Sequence, residues 1–336
     1  MIPIHATSGE IRPDQLGVTL PHEHVFINMT KTSPGNGFVT VWDERKRELE
    51  AYAAVGGGTM FDLTNGELSD FAAPPLYDAD PAHLHQNPVT GSRSIANVAA
   101  TRELAELTGV TVVLGTGHYH DAYLDKAWFD RTSTSALADY LIADLVEEIP
   151  GTGVRAGIIG EIASDLPYIT AREERSFRAA GRASAQTGAM ISTHAPTFAT
   201  GGAQIDLLLE SGASADRIVI GHSDTVKDVG YSLELLRRGV FVQYDCMMSC
   251  KVGGSLVMPE LERRVGYVKA VIDAGYQSQL LLSHDVCERS HQGANGGTGY
   301  TFLFEEFAEF AVAAGIDPAV LTEIHVTNPR RALFGE

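Results

Sequence analysis

The chain has 336 residues, of which 44% are hydrophobic and 20% charged, with a formal charge of −18. That composition describes a globular protein long enough for one large α/β domain. The excess of negative charge argues against nucleic acid or an anionic membrane as partner and leaves a small-molecule substrate as the expectation. No apolar run reaches the ~20 residues of a membrane span, and the first residues lack the basic and apolar regions of a signal peptide. Cys246, Cys250 and Cys287 are too few for a disulfide framework, so a cytoplasmic protein is expected.

Residues 1–16 read as a short leading segment with a turn near Gly9 and Pro13. A strand at about 17–21 follows and runs into Pro21-His22-Glu23-His24. A helix from Asp43 to Val55 stops at three glycines, and Thr59–Leu63 reads as the second strand. Residues 67–95 are rich in Pro and Asp, lack periodicity and read as a long loop over one face. The alternation then becomes regular. Predicted helices at 94–108, 132–148, 171–186, 202–211, 227–238 and 258–274 each precede a strand. Those strands are Val110–Leu114, Arg155–Gly160, Ala189–Thr193, Arg217–Gly221, Val240–Tyr244 and Gln279–Ser283. Three helices, at about 300–314, 317–324 and 328–334, close the chain. Eight such units predict an α/β fold of the (β/α)8 barrel type, in one domain over residues 1–336 with long βα loops. No glycine-rich dinucleotide fingerprint follows the first strand, against a doubly wound sheet.

In such a barrel the active site lies at the C-terminal strand ends. The first strand ends in His22 and His24, whose i, i+2 spacing puts both imidazoles on one face. The fourth ends in Glu161, the fifth in His194, the sixth in His222 and the eighth in His284-Asp285. Four His and two carboxylates exceed one tetrahedral site but suit two divalent cations with a bridging carboxylate. Zn is the first expectation, with Mn, Fe and Co able to use the same mixed donor set.

The motifs Thr19-Leu20-Pro21-His22-Glu23-His24, Gly157-Ile158-Ile159-Gly160-Glu161-Ile162, Ile220-Gly221-His222-Ser223-Asp224 and Leu282-Ser283-His284-Asp285 resemble the phosphotriesterase-related branch of the amidohydrolase superfamily. The closing Asn328-Pro329-Arg330-Arg331 matches as well. The resemblance implies a metal-dependent hydrolase. It assigns His22, His24 and Asp285 to the more buried metal, His194 and His222 to the more exposed one, and Glu161 with a hydroxide to the bridge. It also implies a homodimer. In two places the chain departs from the paraoxon-hydrolysing members. They bridge with a carboxylated lysine where Glu161 stands, and they place a proton-shuttling His, or the lactonases an Arg, where Asp245 is followed by Cys246.

The expected chemistry is attack of a bridging hydroxide on the carbonyl of a small lactone or carboxylic ester, with Asp285 moving the proton to the leaving oxygen. Amide hydrolysis of a small N-acyl compound and phosphotriester hydrolysis are the alternatives. Tyr119, after the third strand, matches a Tyr that touches hydroxide or substrate in lactonase relatives. Cys246 is expected to line the pocket, and Arg289 to meet a substrate carboxylate or phosphate. His83 and His85 read as a solvated surface pair, His284 as a core residue pointing away from Asp285, and Asp224 as support for a ligand. Gly293–Gly299 reads as a mobile loop over the site.

Overall fold

In a computed structural model, residues 2–74, 80–248 and 258–335 are described. Eight parallel strands form one sheet in strict sequence order, curled into a nearly closed barrel. They are β1 (Val18–Glu23), β2 (Gly57–Asp62), β3 (Thr111–Thr116), β4 (Ile158–Ala163), β5 (Ile191–His194), β6 (Ile218–Ile220), β7 (Phe241–Tyr244) and β8 (Leu280–Leu282). Helices between successive strands cover the outside, as parallel pairing requires. No ladder joins β8 to β1. The Ser283 hydroxyl closes that seam, accepting from His22 N at 3.1 Å and lying 2.8 Å from His22 O and from Glu23 Oε1.

Side chains alternate along each strand, and the two faces enter different cores. Val112, Ile159, Ile191, Ile220, Val242 and Leu282 pack outward against Leu104, Phe177, Leu208, Leu235 and Val268 of the helices. Phe61, Val113, Ile158, Met190, Val219, Phe241 and Leu281 fill the barrel interior. The leading segment, read as a short stretch with a turn near Gly9 and Pro13, is a β-hairpin of Ile4–Ala6 and Gly9–Ile11. Its inward residues Ile4, Ala6 and Ile11 join the interior cluster and floor the barrel at the end away from the ligands. Burying Ile4 and Ile11 contributes roughly 1.5–3 kcal/mol of transfer free energy each. Thr7 N donating to Val112 O at 2.8 Å fixes the hairpin to β3.

Helix boundaries follow their capping residues. Ser94 accepts from Asn97 N, and Gly109 ends that helix in the left-handed region. Thr170 and Glu173 form a capping box, and Gly188 stops the helix at the other end. The predicted helix at 132–148 is the single helix Thr134–Val146, which Ser133 caps by accepting from Ala136 N; a short helix not anticipated, Lys126–Arg131, precedes it. The glycine-rich run is tied to the barrel in this conformation. Gly293 N donates to Glu48 Oε1 at 2.7 Å, and Gly297 and Gly299 donate to Gln292 O and His291 O. Within the long 67–95 segment the chain forms a helical turn, Gly66–Ser69, and a 3-10 turn, Pro81–Leu84.

Candidate metal centre

The strand ends bring all six predicted ligands together. Glu161 sits at the centre: its Oε2 is 3.0 Å from His194 Nδ1, 3.4 Å from His22 Nε2 and 3.6 Å from His222 Nε2. Its Oε1 is 3.7 Å from His24 Nε2, which lies 3.2 Å from Asp285 Oδ1. All six residues are buried. Two of them leave their strands in the left-handed region, His222 at φ 52° and Asp285 at φ 53°. Non-glycine residues rarely adopt it and do so where the surroundings enforce it, typically at functional sites.

This arrangement fits cations better than it fits hydrogen bonding alone. His22 makes no well-directed hydrogen bond through either ring nitrogen, and neither does Asp285 Oδ1. His222 Nε2 and His194 Nδ1 face each other 2.7 Å apart. The ligand atoms of His22, His24 and Asp285 fall within 4.8 Å of one another, as do those of His22, Glu161 and His222. The electrostatics agree. Burial opposes charge on His22, but the Asp245 and Glu161 carboxylates outweigh it and raise its pKa to about 10. Asp245 likewise raises His222 against the cost of burial. Burial pushes Glu161 and Asp285 upward, yet the surrounding imidazoles hold both below the usual carboxylate range. A cluster that stabilises positive charge among anionic oxygens has the donor chemistry to hold a divalent cation.

Three supporting residues were not anticipated. Asp245, at the end of β7, accepts from His222 N at 2.9 Å and shares its carboxylate between His222 Nδ1 at 2.7 Å and His22 Nδ1 at 2.9 Å. It does the ligand-orienting work expected of Asp224, which accepts from Cys246 N instead. Thr64 Oγ1, at the end of β2, lies 2.9 Å from His24 Nδ1. Glu23, between the paired His residues, accepts from the backbone N–H of His284 and Val286. His284 Nδ1 lies 3.1 Å from Glu23 Oε1, so His284 does turn away from Asp285 into the core. Spacing alone signals these residues weakly, since their partners lie on other strands.

The predicted substrate residues divide. Tyr119 is buried with its hydroxyl 3.4 Å from His194 Nε2. Burial, then the Glu161 charge, push its phenol well above the usual range, so it remains a donor. Cys246 is buried with Sγ 3.7 Å from His222 Nδ1, and burial pushes its thiol up. Arg289 is exposed at the rim, its N–H donating to Asn36 O. His83 and His85 are solvent-facing, as expected. Cys250 and Lys251 lie outside the described residues. Ile27, Val39, Leu68, Tyr119, Tyr123, Ala163 and Cys287 form a separate apolar cluster on the ligand side of the barrel.

Comparison with known proteins points the same way. The family model described as "Phosphotriesterase family" matches residues 88–333. The phosphotriesterase homology protein of Escherichia coli K12 is 31% identical over 94% of this chain and 97% of its own. The N-acetyltaurine hydrolase of Danio rerio is 25% identical over 98% of this chain and 97% of its own. Among solved structures, a resiniferatoxin-binding protein from Rhodobacter sphaeroides superposes with a TM-score of 0.84 at 28% identity, covering 98% of this chain and 94% of that one. The Escherichia coli protein complexed with phosphate in its active site gives 0.82 at 27%, covering 95% and 99%. A mutant of a Deinococcus radiodurans phosphotriesterase-like lactonase gives 0.78 at 26%, covering 98% and 99%. The chain is a hydrolase and belongs to the phosphotriesterase family.

Proposed function

We propose that the chain is a binuclear metal-dependent hydrolase of small carboxylic esters and lactones. One observation carries this reading: four imidazoles from β1, β5 and β6 surround Glu161 with contacts of 3.0–3.7 Å to its oxygens, and Asp285 joins them 3.2 Å from His24 Nε2. Two divalent cations, Zn first among them, would be held by His22, His24 and Asp285 on one side and by His194 and His222 on the other, with Glu161 between. Bound there, they supply a hydroxide near neutral pH and polarise a carbonyl.

The remaining work falls to side chains. Asp285 keeps an anionic carboxylate inside the cluster, so it can take a proton and deliver it to a departing oxygen. An ester or lactone alkoxide needs less of that help than an amine does. Cys246, a neutral buried thiol, cannot relay protons as an imidazole would. Tyr119 offers a phenol donor beside His194. The apolar cluster around Leu68, Ala163 and Tyr123 suits a hydrocarbon acyl or lactone ring.

A second reading, hydrolysis of an amide in a small N-acyl compound, is supported by the relatives that act on N-acetyltaurine and align over nearly the full chain. The test is metal content by elemental analysis with parallel rates on a γ-lactone, 4-nitrophenyl acetate, N-acetyltaurine and paraoxon. We expect two metal equivalents and the highest kcat/KM on the lactone or ester. A higher value on N-acetyltaurine selects the second reading, and active protein without metal rejects both.

A further inference from the structure

The end of β2 supplies no ligand, yet it grips the cluster in several places. Glu161 N donates to Leu63 O at 3.2 Å, and the Asn65 side chain donates to Glu161 O at 3.0 Å. Glu67, on the helical turn that follows, is buried and commits both carboxylate oxygens to the loop after β3. Its Oε1 lies 2.9 Å from His118 Nδ1, and its Oε2 accepts from Tyr119 N at 3.2 Å. The turn itself is fixed. A Cβ on Gly66 would fall 1.8 Å from Gly91 O, so only glycine lets the two segments approach. Ser69 Oγ donates to Gly66 O and accepts from Ser94 N. On its other side the His118 ring is wedged between Trp128 and Phe129, with centroids 5.6 and 5.3 Å away. His118 Nε2 has no hydrogen-bond partner among the described residues, so Glu67 is that ring's polar tie.

We propose that Glu67 is a positioning residue: it clamps the His118–Tyr119 backbone so that the Tyr119 phenol donates to a substrate oxygen on the His194 side of the centre. The proposal rests on the hydrolase reading above. A tyrosine on a loop would otherwise sample several orientations, and its hydrogen bond to a reacting group depends on placement within about half an ångström. Here two bonds from one carboxylate fix the ring's anchor, and the phenol ends up edge-on to His194 with centroids 4.9 Å apart.

The test uses inorganic phosphate, the anion found in the active site of the Escherichia coli relative. Binding to the metal-loaded protein is measured by calorimetry, with metal content and melting temperature recorded for each variant. Y119F is expected to weaken phosphate binding about tenfold, the loss of one hydrogen bond to a charged group. E67A should weaken it to a similar degree, and E67A/Y119F should be no weaker than Y119F alone, because both cut one chain of contacts. E67Q should restore binding towards wild type, since the amide offers an acceptor to Tyr119 N and a donor to His118 Nδ1. A merely structural Glu67 predicts effects that multiply in the double variant. That outcome, or full-strength binding by E67A, overturns the proposal. If E67A does not fold, H118L removes one of the two bonds and should weaken phosphate binding by a smaller factor, with no further loss in H118L/Y119F; full-strength binding by H118L overturns the proposal. Wild-type protein that holds two metal equivalents yet takes up no phosphate also overturns it. Wild-type protein that holds no metal fails one level lower and removes the hydrolase reading as well.

Discussion

One carboxylate at the end of β7 serves two imidazoles. Asp245 hydrogen-bonds His222 Nδ1 and sets its other oxygen 2.9 Å from His22 Nδ1, so its charge holds both rings with Nε2 toward Glu161. An asparagine there keeps one acceptor oxygen and can orient only one ring. D245N should therefore lower zinc affinity about 10–100-fold, as read by competition with a chromophoric chelator. The same residues set an acid limit. His22 holds a proton up to about pH 10 in the metal-free protein, so below that pH a cation must displace it. Zinc affinity should fall at least about tenfold per unit from pH 8 to 6. An affinity flat across that range would remove His22 from the ligand set. Much of this candidate centre was legible beforehand because each candidate ligand falls within four residues of the last aliphatic of a strand-like run, a one-dimensional signal. Asp245, Thr64 and Glu23 were not, because each acts on a neighbouring strand and only the register of the sheet brings them to their partners.

At the scale of elements, the alternation of apolar runs and amphipathic helices is readable because parallel strands buried on both faces need continuous hydrophobic sequence. What escaped was the hairpin at the amino end. Its strands are three residues each, too short for period-two alternation to show. The long 67–95 segment also hid its role, since Glu67 acts through backbone and side-chain contacts that leave no periodic trace. Helix Thr134–Val146 offers a pH test well away from the ligands. Its Asp144 accepts from Ser92 Oγ at 2.8 Å and from Thr116 Oγ1 at 2.6 Å, joining the helix to the end of β3. Burial nonetheless raises its pKa to about 6. The native state therefore binds this proton more tightly than the unfolded chain does. Stability from that source is complete below the ordinary carboxylate pKa of about 4 and is lost as pH rises through 6. Urea unfolding of wild type and D144N should show wild type gaining about 2–3 kcal/mol relative to the variant between pH 7 and 4. A constant difference would mean that Asp144 is ordinary.

The whole molecule is tied together across its mouth. The six candidate ligands come from β1, β4, β5, β6 and β8, on both sides of a seam that Ser283 closes without a ladder. Cations bound by the folded state alone stabilise it by mass action, about 4 kcal/mol at a thousandfold excess over Kd. Stripping them with a chelator should lower the melting temperature by roughly 4–8 °C, and added zinc should restore it. A melting temperature indifferent to chelation would mean that the barrel closes without metal.

Glu161 also bears on how the enzyme matures. Its anion is written in the gene, whereas a carbamate on lysine must be formed from dissolved carbon dioxide before metals can dock. Apoprotein refolded in degassed, bicarbonate-free buffer should recover full activity on adding zinc alone, at a speed that extra bicarbonate does not change. The catalyst would then assemble equally well wherever metal is available, whatever the local supply of inorganic carbon.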